Sequence, residues 1–347
     1  MAGAIVGGDT DRVLREGHGG RRQDAARRRE RGRTSPERAA AATEGCPDSG
    51  NESGLFPSRE RGGGSGVYDR PFPSLAIRPM PDELDAVADA LHAARHGGDR
   101  VPTAAVALDT IERAYRLQAA LERRERSARI GFKLGATLDG AIARLALEDS
   151  FHGSLFAAHH HPSGAEIALP DDRPTSVETE FVVVIGEDIV ASDGPTSAAA
   201  VRAACASVRP GFELIGTRFD MTLAGNGRHL VGDAGGNVAT VLDESADADA
   251  WRSLDLRAHP ARLSIDGERR AEGHSGQSRA GDPFAMVAWL LDRPAFADRG
   301  LKAGELVFCG SCTGMLPIAP GERLEADFGE LGRVTATLVG TSARASA

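Results

Sequence analysis

Apolar positions recur every three or four residues over 81–97. Leu84, Val87, Ala88 and Leu91 share one face there, and Gly97 and Gly98 end the run, which predicts an amphipathic helix. A second helix is predicted over 108–124, with Ile111, Tyr115, Gln118 and Leu121 in register and charges opposite. Beyond it the apolar runs shorten. Segments 130–134, 178–185, 212–215, 238–242, 262–265, 306–309, 323–328 and 333–339 read as strands, several closed by glycine turns. Two more helices are predicted, at 197–208, stopped by Pro210 and Gly211, and at 283–291. Helices gather early and strands late, which implies an α+β fold rather than alternating βαβ units.

Residues 1–70 lack this periodicity. They hold 13 Arg, no Lys and 11 acidic residues, with glycine at 62, 63 and 64. Such a segment cannot offset its ordering entropy by burial, so it reads as a disordered Arg/Gly-rich extension. A transit peptide would be basic and acid-poor, and the acidic residues speak against one. Order is expected from Pro71. One domain then covers 71–345, with a helical part at 71–129 and a β-rich core at 130–345.

Charge narrows the function. The chain carries −9 and this first segment +2, so the remaining 277 residues carry −11. With only 5% aromatic residues, it lacks both the basic footprint and the stacking platforms of a nucleic-acid binder. Its longest apolar runs are far too short to span a bilayer, and no signal-peptide core follows the start. Cys46, Cys205, Cys309 and Cys312 are too few for a disulfide scaffold in a chain this long, which fits a reducing cytoplasm. Lysine occurs only at Lys133 and Lys302 against 39 Arg, which draws attention to both.

The strongest chemical signal is Val177-Glu178-Thr179-Glu180-Phe181, running into Val182-Val183-Val184-Ile185. Side chains alternate along a strand, so Glu178 and Glu180 share a face with Val182 and Val184, which should lead into the core. Burying two carboxylates together is costly unless one is protonated or paired. Glu213 lies in a third apolar setting, Gly211-Phe212-Glu213-Leu214-Ile215, on a strand expected to follow the 197–208 helix. A hard divalent cation such as Mg²⁺ or Mn²⁺ would resolve the conflict with oxygen ligands alone.

Here a resemblance becomes specific. Glu178-x-Glu180 with Glu213 resembles the metal triad of the fumarylacetoacetate hydrolase superfamily. The segment Gly131-Phe132-Lys133-Leu134-Gly135-Ala136-Thr137 is similar to the G-x-K-[IL]-G-x-T run of its 2-keto-4-pentenoate hydratase and 4-oxalocrotonate decarboxylase branch. Phe212 to Phe219 resembles the branch's L-E-I-x-D-S-R-Y. Phe308-Cys309-Gly310-Ser311-Cys312-Thr313-Gly314, then Pro320-Gly321-Glu322 and Phe328-Gly329-Glu330-Leu331-Gly332, resemble its closing run. Departures stand at Gly216 for Asp and at Ala234 for Asn after Asp233. In 145–155, Glu148 falls over one family Asp and Phe151 over a second, a proton-transfer residue in the hydratases.

The resemblance implies an α+β, rolled mixed β core with peripheral helices. It implies a lyase for small 2-oxo acids, such as a hydratase of 2-hydroxypenta-2,4-dienoate, assembling as a homo-oligomer. Glu178, Glu180 and Glu213 would hold Mg²⁺ or Mn²⁺. Lys133 would bind the substrate carboxylate or move a proton, Ser311 and Thr313 would hydrogen-bond the carboxylate, and Glu148 is an acid/base candidate. A vinylogous decarboxylase and an acylpyruvate-type C–C hydrolase are the competing enzymes. The hydrolase would need a base such as His152 or one of His159, His160 and His161, whose loop could form a lid. An inactive 2-oxo-acid binder is the non-enzyme reading. Cys309-x-x-Cys312 has neither a second pair for zinc nor a redox-fold context.

Overall fold

The computed structural model describes residues 82–190, 194–245, 247, 249 and 250–341. The proposed extension over 1–70 and the expected onset at Pro71 lie outside the described residues. In chain order the strands are β1 (Val101–Pro102), β2 (Arg129–Gly135), β3 (Phe151–Phe156), β4 (His160–Pro162), β5 (Ala165–Leu169), β6 (Thr175–Ile185), β7 (Cys205–Ile215) and β8 (Phe219–Asp220). They continue with β9 (Asn237–Leu242), β10 (Ala261–Ile265), β11 (Glu268–Gly273), β12 (Leu306–Ser311), β13 (Leu316–Ile318), β14 (Arg323–Asp327) and β15 (Arg333–Gly340). The α-helices are α1 (Glu83–Arg95), α2 (Ile111–Glu122), α3 (Asp139–Leu145), α4 (Ala198–Ala203), α5 (Gly227–Gly232) and α6 (Pro283–Leu291).

Local chemistry explains the helices. Leu84, Val87, Ala88, Leu91 and Ala94 form the buried stripe of α1, and Gly97, at φ +94°, turns the chain out of it. The Thr110 hydroxyl accepts a hydrogen bond from Arg113 N–H and caps α2. Asp282 caps α6 in the same way, with Pro283 opening its first turn.

The strands form two main sheets. One runs β3-β2-β12-β6-β7-β9-β4, with β13 added to β6, and the other runs β11-β10-β14-β15-β5. Most pairs are antiparallel, whereas β2–β12, β4–β9 and β5–β15 are parallel, so both sheets are mixed. With α6 and the shorter helices around them, this is the α+β architecture that the sequence implies.

Two expectations need correction. The 197–208 helix stops at Ala203, and Cys205 to Val208 already belong to β7. β6 and β7 therefore pair directly, setting Glu178 opposite Glu213 and Glu180 opposite Gly211. The main core also lies on the other face of β6 from the one expected. Val177, Phe181, Val183 and Ile185 join Phe212, Leu214, Leu263, Leu324 and Leu338 in it. Val182 instead belongs to a smaller cluster with Leu155, Leu242, Leu306 and Phe308, with Val184 packed at its edge. The glutamates thus sit on the less thickly covered face of the sheet.

Candidate active site and metal centre

Direct pairing of β6 with β7 brings the three acids together. Carboxylate oxygens of Glu178, Glu180 and Glu213 all lie within 4.8 Å of one another. Glu180 and Glu213 are fully buried, and Glu178 is half-buried. Gly310 N–H donates to Glu180 Oε2 at 2.7 Å, and Asn237 Nδ2 donates to Glu213 Oε1 at 3.0 Å. Lys133 Nζ lies 3.2 Å from Glu213 Oε2 and 5.1 Å from the centre of the Phe151 ring. One buried ammonium thus faces three carboxylates.

That imbalance shows in the titration of the acids. Burial, then the Glu213 charge, pushes Glu178 up to about 7, while Lys133 and Ser311 beside it act in the opposite sense. Burial also pushes Glu180 well above the usual carboxylate range, reinforced by Glu213 and Glu178 and opposed by Lys133 and the Gly310 N–H. Glu180 Oε1 is buried without a hydrogen-bond partner among the described residues. An all-oxygen donor set with uncompensated charge and an orphaned oxygen fits a hard divalent cation. With three carboxylates and no His or Cys, it does not suit zinc.

The loop after β7 shapes the Lys133 side of the site. The Asp233 carboxylate accepts hydrogen bonds from the Thr217 hydroxyl at 2.9 Å and Arg218 N–H at 2.7 Å, and pairs with Arg218 Nε at 2.5 Å. The pair is fully buried and fastens the turn Ala234, Gly235, Gly236, all with positive φ. A Cβ on Gly235 would stand 2.1 Å from Lys133 Cε, so glycine makes room for the lysine. A Cβ on Gly310 would likewise strike Thr137 at 2.3 Å.

Lys133, Thr137, Glu178 and Ser311 open onto a cavity of about 330 Å³. The fold thus brings Glu178, Glu180, Glu213, Lys133 and Ser311 to one place. Thr313 does not join them. Its hydroxyl lies 2.9 Å from that of Thr179, which alternates with the glutamates on β6. Glu148 is exposed and lines a separate cavity. The left-handed Ala146, φ +54°, turns the chain that way after α3.

The candidate bases are also elsewhere. His152 lines the second cavity, stacked on Tyr115 at 4.6 Å. His159 faces Glu125 at 3.6 Å, and His160 Nδ1 lies 2.9 Å from Thr240 Oγ1 at the sheet edge. None of the three consecutive histidines lines the glutamate cavity, so they form no lid over it. Burial raises the thiols of Cys309 and Cys312, which makes them poor nucleophiles. Asn237, Gly235 and Gly310 were missed. Two glycines directly before an Asn, after a buried Asp, were the available signal.

Comparison with known proteins decides the family. The chain is 30% identical over 258 residues to the TodF product hydratase of Pseudomonas putida, covering 72% of this chain and 92% of that protein. The chain belongs to the family of 2-keto-4-pentenoate hydratases and 4-oxalocrotonate decarboxylases. It is also 27% identical over 241 residues to a 4-oxalocrotonate decarboxylase of Pseudomonas putida, 66% of this chain and 86% of that one. The solved 4-oxalocrotonate decarboxylase of Pseudomonas putida G7, complexed with magnesium and adipate, shares the fold. It matches with a TM-score of 0.67 at 22% identity, over 75% of this chain and 98% of that chain. No family model matches the chain. Among the described residues, no helix is long and apolar enough to cross a membrane.

Proposed function

We propose that this enzyme is a divalent-metal-dependent hydratase of 2-oxo-enoates such as 2-hydroxypenta-2,4-dienoate. The observation that carries this reading is the convergence of three carboxylates and one lysine on a single cavity, in a chain of the hydratase family. Glu178, Glu180 and Glu213 would hold Mg²⁺ or Mn²⁺. When bound, the cation would supply Lewis acidity at the substrate's carboxylate and 2-oxo oxygens, where negative charge develops.

The remaining steps belong to the chain. Gly310 N–H and Asn237 Nδ2 fix two of the three carboxylates before any ligand arrives. The Lys133 ammonium reaches the cavity wall held by Glu213 and by the face of Phe151. From there it binds the substrate carboxylate or moves a proton at Nζ. Ser311, which lines the cavity beside Glu178, donates to the same carboxylate. A single catalytic domain over 71–345 and homo-oligomeric assembly complete the reading.

A 4-oxalocrotonate-type decarboxylase is the second reading, favoured by the 27% identity to that enzyme. The C–C hydrolase reading loses its supports, since His152 and His159 to His161 lie away from the cavity. The test is a screen of 2-oxo and diketo acids with Mg²⁺ or Mn²⁺ against an EDTA control. A hydratase removes the dienol absorbance without releasing CO₂ or an acid fragment. Evolution of CO₂ would instead make it a decarboxylase. Metal-dependent binding of 2-oxo acids with no turnover would make it a binder.

A further inference from the structure

The polar groups of the glutamate cavity come from the sheet and its turns: Lys133, Thr137, Glu178 and Ser311. The rest of the lining is mostly apolar. Leu138, Ala141 and Leu145 come from α3 and the turn before it, Leu223 and Leu230 from in and before α5, and Met315 from the turn after β12. A five-carbon 2-oxo-enoate has about eight non-hydrogen atoms, and three carboxylates, Lys133 and Ser311 suffice for its head. Pockets of about 300–1,000 Å³ take drug-sized ligands, so about 330 Å³ leaves room beyond an eight-atom acid, against leucines and a methionine.

A second carboxylate placed there would lose its hydration without gaining a partner. The cavity lining includes one cation besides Lys133, namely Arg144, and it is exposed. A pair formed in water at that position adds little. We infer that this enzyme takes 2-oxo-enoates bearing an uncharged apolar tail beyond the five-carbon acid, and discriminates against dicarboxylic ones. This inference rests on the hydratase reading for its chemistry.

The experiment compares kcat/KM, in Mg²⁺ or Mn²⁺, for the five-carbon acid, its eight-carbon n-propyl homologue and a six-carbon dicarboxylic analogue. The eight-carbon acid should exceed the five-carbon acid about tenfold or more, and the dicarboxylic acid should fall about tenfold or more below it. Met315→Trp, which fills the apolar end, should invert the eight- to five-carbon ratio. Preference for the five-carbon or the dicarboxylic acid overturns the inference while leaving the hydratase intact. If no acid is turned over, the hydratase reading fails instead. The tail is then decided by calorimetry with Mg²⁺ and the saturated 2-oxopentanoate and 2-oxooctanoate. Tighter binding of the longer acid upholds it, and equal binding overturns it.

Discussion

Adjacent residues of β3 line two different cavities. Phe151 lines the smaller, about 330 Å³, with Lys133 and Glu178, and His152 lines the larger, about 780 Å³, with Tyr115, Glu148 and Asp149. The larger cavity holds a carboxylate that is fully paired. Asp149 accepts from Arg279 Nη1 at 2.9 Å, Trp289 Nε1 at 3.2 Å and Arg293 Nη1 at 3.3 Å. Glu148 remains exposed to water, and burial keeps His152 neutral by pushing its pKa down to about 4. The smaller cavity keeps three carboxylates against one ammonium. Uncompensated charge, rather than volume, distinguishes the reactive cavity from the structural one.

The largest test exploits that imbalance. Glu178→Gln or Glu213→Gln should lower metal-dependent kcat by at least about 100- to 1,000-fold, the range for losing a preorganised electrostatic group. Without metal, removing a buried like charge should leave the fold intact or raise its melting temperature in EDTA. Asp149→Asn, across the strand pair, should do the reverse, lowering the melting temperature while activity persists. Retained activity in the Glu213→Gln enzyme would end the metal-site reading.

Gly235→Ala comes next. Its new Cβ would stand 2.1 Å from Lys133 Cε and 2.6 Å from Nζ, and φ +72° strains any side chain there. The lysine tip must move, so kcat/KM should fall about 100-fold, within the range for losing a proton-transfer group. Metal affinity, measured by calorimetry, should change much less, because the three glutamates stay in place. An equal loss of metal binding would show that the turn supports the whole site rather than Lys133.

These two variants also mark how far the sequence could be read. Glu178, Glu180 and Glu213 were legible because carboxylates in apolar strands demand an explanation. Lys133 stood out against a background of arginine. The strand pairing was not legible, since Ala-rich 197–203 continues without a break into Cys205-Ala206-Ser207-Val208, and local propensity does not say where the helix ends. The core face of β6 was misread for a related reason. A run with valine at 182, 183 and 184 supports either alternation, and only the opposing β10–β14–β15 sheet selects the odd residues. Thr313 and Glu148 failed at turns, where one residue of rotation sends a side chain to the other face.

The two cavities should also oppose each other in pH. In the metal-free fold Glu178 holds its proton to about pH 7, against 4.5 for an ordinary Glu, so the folded state binds more protons than the unfolded one between those values. Stability from this group falls as pH rises from about 4.5 to 7. His152 does the opposite. Its folded pKa of about 4 lies below 6.5, so stability is lost as pH falls from about 6.5 towards 4. Melting temperatures in EDTA should therefore slope more steeply downward with rising pH in His152→Gln than in Glu178→Gln, where Glu180 alone of the two raised carboxylates still releases its proton. Saturating Mn²⁺ should flatten the first slope, because the metal replaces the proton. Parallel slopes in the two variants would show that neither group governs the profile.

The smallest effect is expected where the two cavities part. Ala146 closes α3 in the left-handed region, φ +54°, is exposed, and directs Glu148 away from the glutamates. A left-handed conformation costs a residue with a Cβ about 1–2 kcal/mol, which glycine avoids at roughly 0.5–1 kcal/mol of extra chain entropy. Ala146→Gly should therefore stabilise the fold by about 0.5–1 kcal/mol, raising the melting temperature by about 1–4 °C. Glu148→Gln should leave kcat within about twofold, since its carboxylate faces water beside a cavity that holds none of the three glutamates. A large loss of kcat in Glu148→Gln would mean that the 146–150 turn swings towards the metal cavity during turnover. Stabilisation by Ala146→Gly accompanied by slower turnover would point to the same movement, because the glycine would hold the turn in the position described here.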